Sequence, residues 1–383
     1  MGHLKALDGF RGLAVLLVMW SHFIAVSPGL DHHGALGRLL LGGHYGVDMF
    51  FVLSGFLITG ILLDAKGSPG YFRVFIMRRV LRIFPLYYMV LAAVSLGPWL
   101  LGLAGLGDPL WYWHETDSPW WFWLYSSNWG QIVKGWGTPD GAWLYTPPGT
   151  SLGHFWSLAV EEQFYLLWPW VVVALGRRKL GWLCASFLLL APVMAALLSD
   201  LAGNTVSGYV STVGRFNTLG CGALLAIAVR HPGWLARAAR PSAWLFPLSA
   251  LLLLASLAFE VKVCLWKIDS LSVLVPLCFG SGLVCALRPE GGAWSGLLST
   301  PPMRFLGKYS YGLYVYHHLL MPVWVSYLWV GWITPQLGTG PLAVAVYMLA
   351  AGAASIALAM LSWALLENPC LKLKRFFSFQ KTT

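Results

Sequence analysis

Charge is what this sequence has least of. Only 10% of its 383 residues are Asp, Glu, Lys or Arg, against about a quarter in soluble domains. Acids are scarcer than bases, 15 against 25, while 58% of the chain is hydrophobic and the mean hydropathy is +0.67. That combination excludes an ordinary soluble globule and indicates a polytopic, all-α membrane protein. CxxC pairs are missing too. The six cysteines (Cys184, Cys221, Cys264, Cys278, Cys285, Cys370) are scattered along or beside apolar runs, so they read as packing residues and not as disulfides or zinc ligands. Internal repeats, low-complexity tracts and an appended soluble domain are absent from the pattern, which gives one membrane domain over 1–383 as the expectation. The formal charge of +10 does not point to nucleic acid, because the basic residues fall in short clusters between apolar runs, as membrane topology requires. Lys5 precedes an apolar stretch as in a signal peptide, but no small-residue cleavage site follows, so a retained first span is expected.

Apolar runs long enough to cross a bilayer fall near 9–28, 44–63, 80–103, 152–175, 180–199, 208–229, 242–260, 270–287, 307–330 and 341–366, which makes about ten helices. With both termini cytoplasmic, only Arg38, Lys134, Arg215, Lys262 and Lys267 of the 25 basic side chains lie outside. That asymmetry sets the orientation. A long extracytoplasmic loop, about 104–150, is crowded with Trp, Tyr, Gly and Pro. Such aromatics serve as interfacial anchors, or alternatively as a platform on which sugar rings stack.

The few ionisable residues inside the spans are expensive to keep in a bilayer and are the candidate site. Arg11 and His22 interrupt the first span with ten residues between them. Eleven steps at ~100° place both on one face, ~16 Å apart along the axis. The bland alternative pairs Arg11 with Asp8 and leaves His22 hydrogen-bonded to a neighbouring helix. The second span, HYGVDMFFVLSGFLITG, carries Asp48 about one turn inside its outer end. Its Gly46, Gly55 and Gly60 are expected to let neighbouring helices approach closely. In YFRVFIMRRVLRIFPLYY, Arg78, Arg79 and Arg82 crowd the inner mouth. They are either positive-inside topology or a phosphate-binding mouth, since Arg grips phosphate oxygens bidentately.

The fourth span holds Ser157, Glu161 and Tyr165 at four-residue intervals, with Glu162 beside them. Glu161 lies ~14 Å from the outer end, a depth comparable to that of His22, where a carboxylate would orient an imidazole and raise its basicity. Arg215, with Asn217, sits about two turns into the sixth span, as the counter-charge of a buried carboxylate or as an acceptor-binding group. In GKYSYGLYVYHHLLMP, Ser310, Tyr314 and His317 or His318 share a face. Without a Cys, Asp or Glu at ligand spacing, the histidines are read as cavity-lining hydrogen-bonding groups, with no metal site. Glu367 and Asn368 end the last span before a basic tail.

Several of these segments together resemble the acyltransferase 3 family of integral-membrane acyl-transfer proteins. They are Arg11 and His22 with their spacing, GVDMFFVLSGFLITG (46–60), RRVLRIFPLYY (78–88), WSLAVEEQFYLLWP (156–169), GKYSYGLYVYHH (307–318) and LENP (366–369). Their order covers nearly the whole chain. The resemblance implies transfer of acetyl or another short acyl group, commonly from acyl-CoA, to hydroxyls of surface glycans, peptidoglycan, lipids or macrolides. Under it Arg11 and His22 carry the family's Arg/His motif, Arg78, Arg79 and Arg82 its basic segment, and Glu161 and Glu162 its glutamate-bearing helix. Many bacterial members append a further span and an esterase-like domain, whereas this sequence stops after the tenth helix.

The expected chemistry is then acyl transfer in the membrane of a bacterial cell, with no permanently bound cofactor. His22 is the general base, oriented by Glu161 or Glu162. Arg11, Arg78, Arg79 and Arg82 bind the acyl-CoA. Asp48, Ser157, Tyr165, Arg215, Tyr314, His317 and His318 line the cavity or the acceptor site, and Tyr314 is one candidate for the oxyanion. Glycan is the favoured acceptor, ahead of a macrolide or lipid. The competing classes are a transporter or flippase, in which Arg11, His22, Asp48 and Glu161 form a proton or substrate path, and a non-enzymatic scaffold for envelope assembly.

Overall fold

The computed structural model describes residues 4–27, 30–103, 119–134, 152–261, 263–265, 268–288 and 292–379. Most of the loop expected over 104–150 lies outside the described residues, as do Lys262, Lys267 and Lys381.

Apolar periodicity drives almost everything described into helix. In order these are α1 (Lys5–Ala25), α2 (Ala35–Leu41), α3 (Gly46–Ala65), α4 (Tyr71–Leu103), α5 (Trp120–Trp123), α6 (Ser127–Lys134), α7 (Trp156–Ala174), α8 (Arg177–Ala202), α9 (Thr205–Val210), α10 (Phe216–Ala228), α11 (Trp234–Phe259), α12 (Leu271–Ala286), α13 (Ala293–Leu298), α14 (Pro301–Leu319), α15 (Met321–Val323), α16 (Thr334–Leu337), α17 (Pro341–Ser362) and α18 (Asn368–Lys372). Tight 3-10 turns at Gly42–Tyr45 and Gly153–Phe155 lead into α3 and α7, and wide π turns occupy Trp324–Ile333 and Trp363–Glu367. Among the described residues, one antiparallel pairing joins the two-residue strands β1 (Cys264–Leu265) and β2 (Ile268–Asp269) ahead of α12.

Six helical runs among the described residues are long and apolar enough to cross a membrane: Lys5–Ala25, Ala35–Ala65, Tyr71–Leu96, Arg177–Ala202, Trp234–Phe259 and Pro341–Phe376. The molecule is therefore a multi-span helical bundle. The other expected spans are present as helices that differ from a plain apolar crossing for physical reasons. α10 and α12 have 13 and 16 residues, so they rise ~20 and ~24 Å against a hydrocarbon core of ~30 Å. α7 and α14 have 19 residues each, but Glu161, Glu162, Arg304, Lys308 and the histidines lower their hydropathy. All six cysteines are free thiols.

The chain packs as two compact units. The first comprises Met1–Ser21, Asp31–Gly67 and Gln163–Ser310, and the second His22–Leu30, Ser68–Glu162 and Tyr311–Thr383. In the first, Phe10 and Ala14 of α1, Met49, Val52 and Phe56 of α3, Ala226 of α10 and Leu283 of α12 form the core. The approach of α3 to α10 depends on missing side chains. A Cβ at Gly55 would strike the Leu219 carbonyl, and one at Gly222 the Val52 carbonyl. Neither obstacle is a side chain that can swing away. Gly222→Val is expected to cost about 3 kcal/mol or more, the upper end of overpacking penalties, seen as loss of the monodisperse peak in detergent chromatography. Gly46 meets the Ala14 carbonyl in the same way, the close helix approach expected of it, whereas the neighbour of Gly60 is the Arg230 guanidinium, a side-chain end.

The core of the second unit is aromatic. Tyr87 of α4 stacks on Tyr125 at 4.1 Å and on Phe155 at 4.9 Å, and its hydroxyl donates to the Phe122 carbonyl at 2.8 Å. Tyr125 holds a left-handed backbone, φ 50°, a conformation that costs a non-glycine residue and that its ring packing offsets. Burial pushes its phenol well above the usual range. Trp123 stacks on Tyr88 at 5.7 Å. Trp123 and Tyr125 thus pack against α4.

Candidate active site

Four imidazoles converge in the second unit. His22 comes from the last turn of α1, His317 and His318 from the last turn of α14, and His154 from the 3-10 turn ahead of α7. His22 Nδ1 lies 2.9 Å from His317 Nε2, with the rings nearly parallel (10°) and their centroids 5.2 Å apart. His318 meets His22 edge-on at 5.0 Å and His154 at 4.5 Å. His154, His317 and His318 are all buried, His317 completely. Among the described residues no three His, Cys, Asp or Glu side chains converge in a metal-holding arrangement.

The proton positions in the central pair follow from the acceptors around it. His317 Nδ1 sits 2.9 Å from the carbonyl of Leu313, one turn back on α14. A carbonyl only accepts, so Nδ1 carries the hydrogen and, in the neutral ring, Nε2 carries the lone pair. His22 Nδ1 must then be the donor across the 2.9 Å contact. A neutral His22 is thereby left with its lone pair on Nε2, the form a general base requires.

Beside the imidazoles, Ser157 and Tyr314 share one acceptor. The Tyr314 hydroxyl lies 3.0 Å and Ser157 Oγ 3.1 Å from the His154 carbonyl, and the two hydroxyls touch each other. Two protons serve three contacts, so one contact is always without a proton. A Tyr314 proton given to an oxyanion is one taken from this network.

The arginines of α4 do not form a bare cationic mouth. Arg78 Nη1 donates to the Phe377 carbonyl at 2.8 Å. Arg79 supplies the positive charge that acts on Glu162, a buried acid with Glu161 as its like-charged neighbour. Glu162 Oε1 has no hydrogen-bond partner among the described residues. Arg82 is the positive charge acting on Glu367, whose Oε1 accepts from Ser362 Oγ at 3.3 Å. An acid stands against a base inside the unit, which lowers the cost of keeping either there.

The first unit holds the remaining candidates. Asp48 and Arg215 form a buried ion pair at 2.6 Å, and the Arg215 guanidinium lies 4.2 Å over the ring of Tyr209. Of the two roles open to Arg215, the structure shows it as counter-charge to Asp48. Tyr165 hydroxyl meets Ser54 Oγ at 3.2 Å. Arg11 pairs loosely with Asp8, 3.9 Å, at the edge of a cavity of about 240 Å³ that Asp64 and Arg230 also line. Arg230 is bidentate on Asp64, at 2.8 and 2.6 Å.

Sequence reasoning missed His154 and gave Glu367 only a helix-ending role. The signal for His154 was present: it stands three residues before Ser157, at the entrance of the polar helix. Glu367 had a weaker one, a lone acid at the end of an apolar span.

An acyltransferase domain family model, acyltransferase 3, matches residues 4–363. Among curated proteins, the chain is 30% identical over 338 residues to YrhL of Bacillus subtilis (strain 168), provisionally named a peptidoglycan O-acetyltransferase; the match covers 82% of this chain and 48% of that protein. A provisionally named O-acetyltransferase of Staphylococcus aureus (strain COL) is 27% identical over 85% of this chain and 52% of its own length. Nodulation protein 10 of Rhizobium leguminosarum bv. viciae is 27% identical over 97% of this chain and 95% of its own. The chain thus spans about half the length of the first two relatives and nearly all of the third. No solved structure matches it.

Proposed function

We propose, from the premise that this chain belongs to the acyltransferase 3 family, that it is a membrane O-acyltransferase moving an acetyl or other short acyl group from acyl-CoA to a glycan hydroxyl. The observation that carries the reading is the His22–His317 contact, 2.9 Å between ring nitrogens, which presents a base where the family places its histidine. His22 Nε2 takes the proton of the acceptor hydroxyl as the oxygen attacks the thioester carbon. The tetrahedral intermediate collapses, the C–S bond breaks, and the proton passes from the imidazolium to the departing thiolate. An acyl-His22 intermediate is the two-step form of the same chemistry. Glu161 and Glu162, expected to orient His22, stay in the proposed site as members of the family's glutamate-bearing helix, while the group that meets His22 Nδ1 is His317. Arg78, Arg79 and Arg82 bind the phosphates of the donor, and the anion displaces the Phe377 carbonyl that Arg78 otherwise holds. Ser157, Tyr314 and His318 line the acceptor site within the second unit.

The name of the Bacillus subtilis relative, a peptidoglycan O-acetyltransferase, favours a cell-wall glycan as acceptor. A ten-span topology with both termini cytoplasmic in a bacterial inner membrane accounts for the basic residues and brings donor and acceptor from opposite sides. The test is free-thiol release from acetyl-CoA by the purified protein with a panel of glycan acceptors. Acceptor-dependent release supports the reading. Glycan or lipid movement that needs no acyl donor and frees no CoA moves it to a flippase. Within the assay, Arg78→Ala is expected to raise KM for acetyl-CoA about tenfold, the loss of one charge-assisted contact of ~1.4 kcal/mol, with a smaller fall in kcat. An unchanged KM would remove Arg78 from the donor site.

A further inference from the structure

We propose that His317 is the positioning residue of the reaction: it fixes the tautomer and ring orientation of His22 and receives the Nδ1–H bond as His22 becomes an imidazolium. The inference rests on the proposed acyl transfer and goes beyond it, because His317 stands in the sequence only as a cavity-lining group.

His317 is built to present one atom. Its Nδ1–H is held by the Leu313 carbonyl of its own helix at 2.9 Å. Its ring is fully buried, with Phe23 edge-on at 6.2 Å and Tyr314 at 5.7 Å. Rotating the ring to offer Nδ1 to His22 would abandon the carbonyl inside a buried site, where an unsatisfied acceptor is costly. What remains for His22 is the Nε2 lone pair. The other His22 tautomer would set lone pair against lone pair at 2.9 Å. His22 is therefore held as the Nδ1–H form with Nε2 directed to chemistry. This is the office a carboxylate performs beside many catalytic histidines, performed here by a neutral ring that adds no further charge to the span. In the step, the acceptor oxygen gains the acyl carbon and loses its proton to His22 Nε2. The Nδ1–H···Nε2 bond strengthens while the ring is charged, and the proton then leaves with the CoA sulfur. His317 gains and loses nothing.

The experiment compares His317→Phe, His317→Gln and His317→Asn with His22→Ala and wild type, using thiol release from acetyl-CoA with a soluble peptidoglycan fragment as hydroxyl acceptor. Gln sets its amide oxygen where Nε2 stands, Asn only where Nδ1 stands. His317→Phe is expected to lower kcat about a hundredfold, the upper range for loss of a group supporting a catalytic ligand, with KM for acetyl-CoA within about threefold. His317→Gln retains about a tenth or more of kcat and His317→Asn falls with Phe. If the Phe protein does not elute as a folded species, the Gln–Asn contrast carries the test, since a merely structural role would not separate them. Wild-type kcat in a folded His317→Phe, or equal losses in Gln and Asn, overturns the inference while an inactive His22→Ala leaves the acyl-transfer reading standing. Full activity in His22→Ala, or no release by the wild type, removes both.

Discussion

His22→Ala is expected to lower acceptor-dependent thiol release from acetyl-CoA by about a thousandfold, within the 10²–10⁴ range of general-base catalysis, while the protein still elutes as a folded species, with a Tm lowered by the unsatisfied His317 Nε2. The magnitude follows from what disappears. A hydroxyl with a pKa far above neutrality is a poor nucleophile unless its proton moves as the new bond forms, and Nε2 of His22 is the lone pair that the His317 contact leaves pointing away from the pair. Folding should survive, because the ring is replaced by a smaller apolar group at a helix end. His317 then loses a donor to its Nε2 but keeps the Leu313 carbonyl on Nδ1. Full activity in the alanine variant sinks the general-base role. Donor-independent movement of glycan that stops in the same variant would favour a transport path through His22.

How much of this could be read from the chain depends on whether the property is local or relational. The membrane class and the polar α7 and α14 are local, and the residues that interrupt apolar runs named most of the candidates. Periodicity fixes which face of a helix a residue occupies but not which helix it meets. The His22–His317 contact spans 295 positions, and nothing in either segment announces the other. Asp48 and Arg215 were legible as charge and possible counter-charge, but their 2.6 Å pairing needed coordinates. The same limit hid the opposition of Arg79 to Glu162 and of Arg82 to Glu367. A basic cluster looks the same in sequence whether it awaits a phosphate or already faces an acid. Span counting meets a different limit, since α10 and α12 are apolar but only 13 and 16 residues long, shorter than a bilayer core.

Asp48→Leu is expected to destabilise the protein by about 3–5 kcal/mol, the cost of leaving one partner of a buried ion pair uncompensated. At ~2–4 °C per kcal/mol for a large domain, that is a fall in Tm of roughly 10 °C in detergent. Asp48 is 1% exposed and Arg215 9%, so neither charge reaches water to recover its hydration. Arg215 would keep the ring of Tyr209 at 4.2 Å, worth about 2 kcal/mol when desolvated and less than the loss of its counter-charge. The double variant Asp48→Leu/Arg215→Met removes both charges and should recover most of the lost Tm, because a buried pair stabilises little over apolar groups that fill its space. Activity in that double variant separates the two roles open to these residues. Wild-type turnover in a stable double variant assigns the pair to holding α3 and the start of α10 together. A stable double variant whose KM for the glycan rises severalfold, with KM for acetyl-CoA unchanged, assigns it to acceptor binding. If the double variant is less stable than Asp48→Leu alone, the ion pair is not the source of the stability and the packing argument fails.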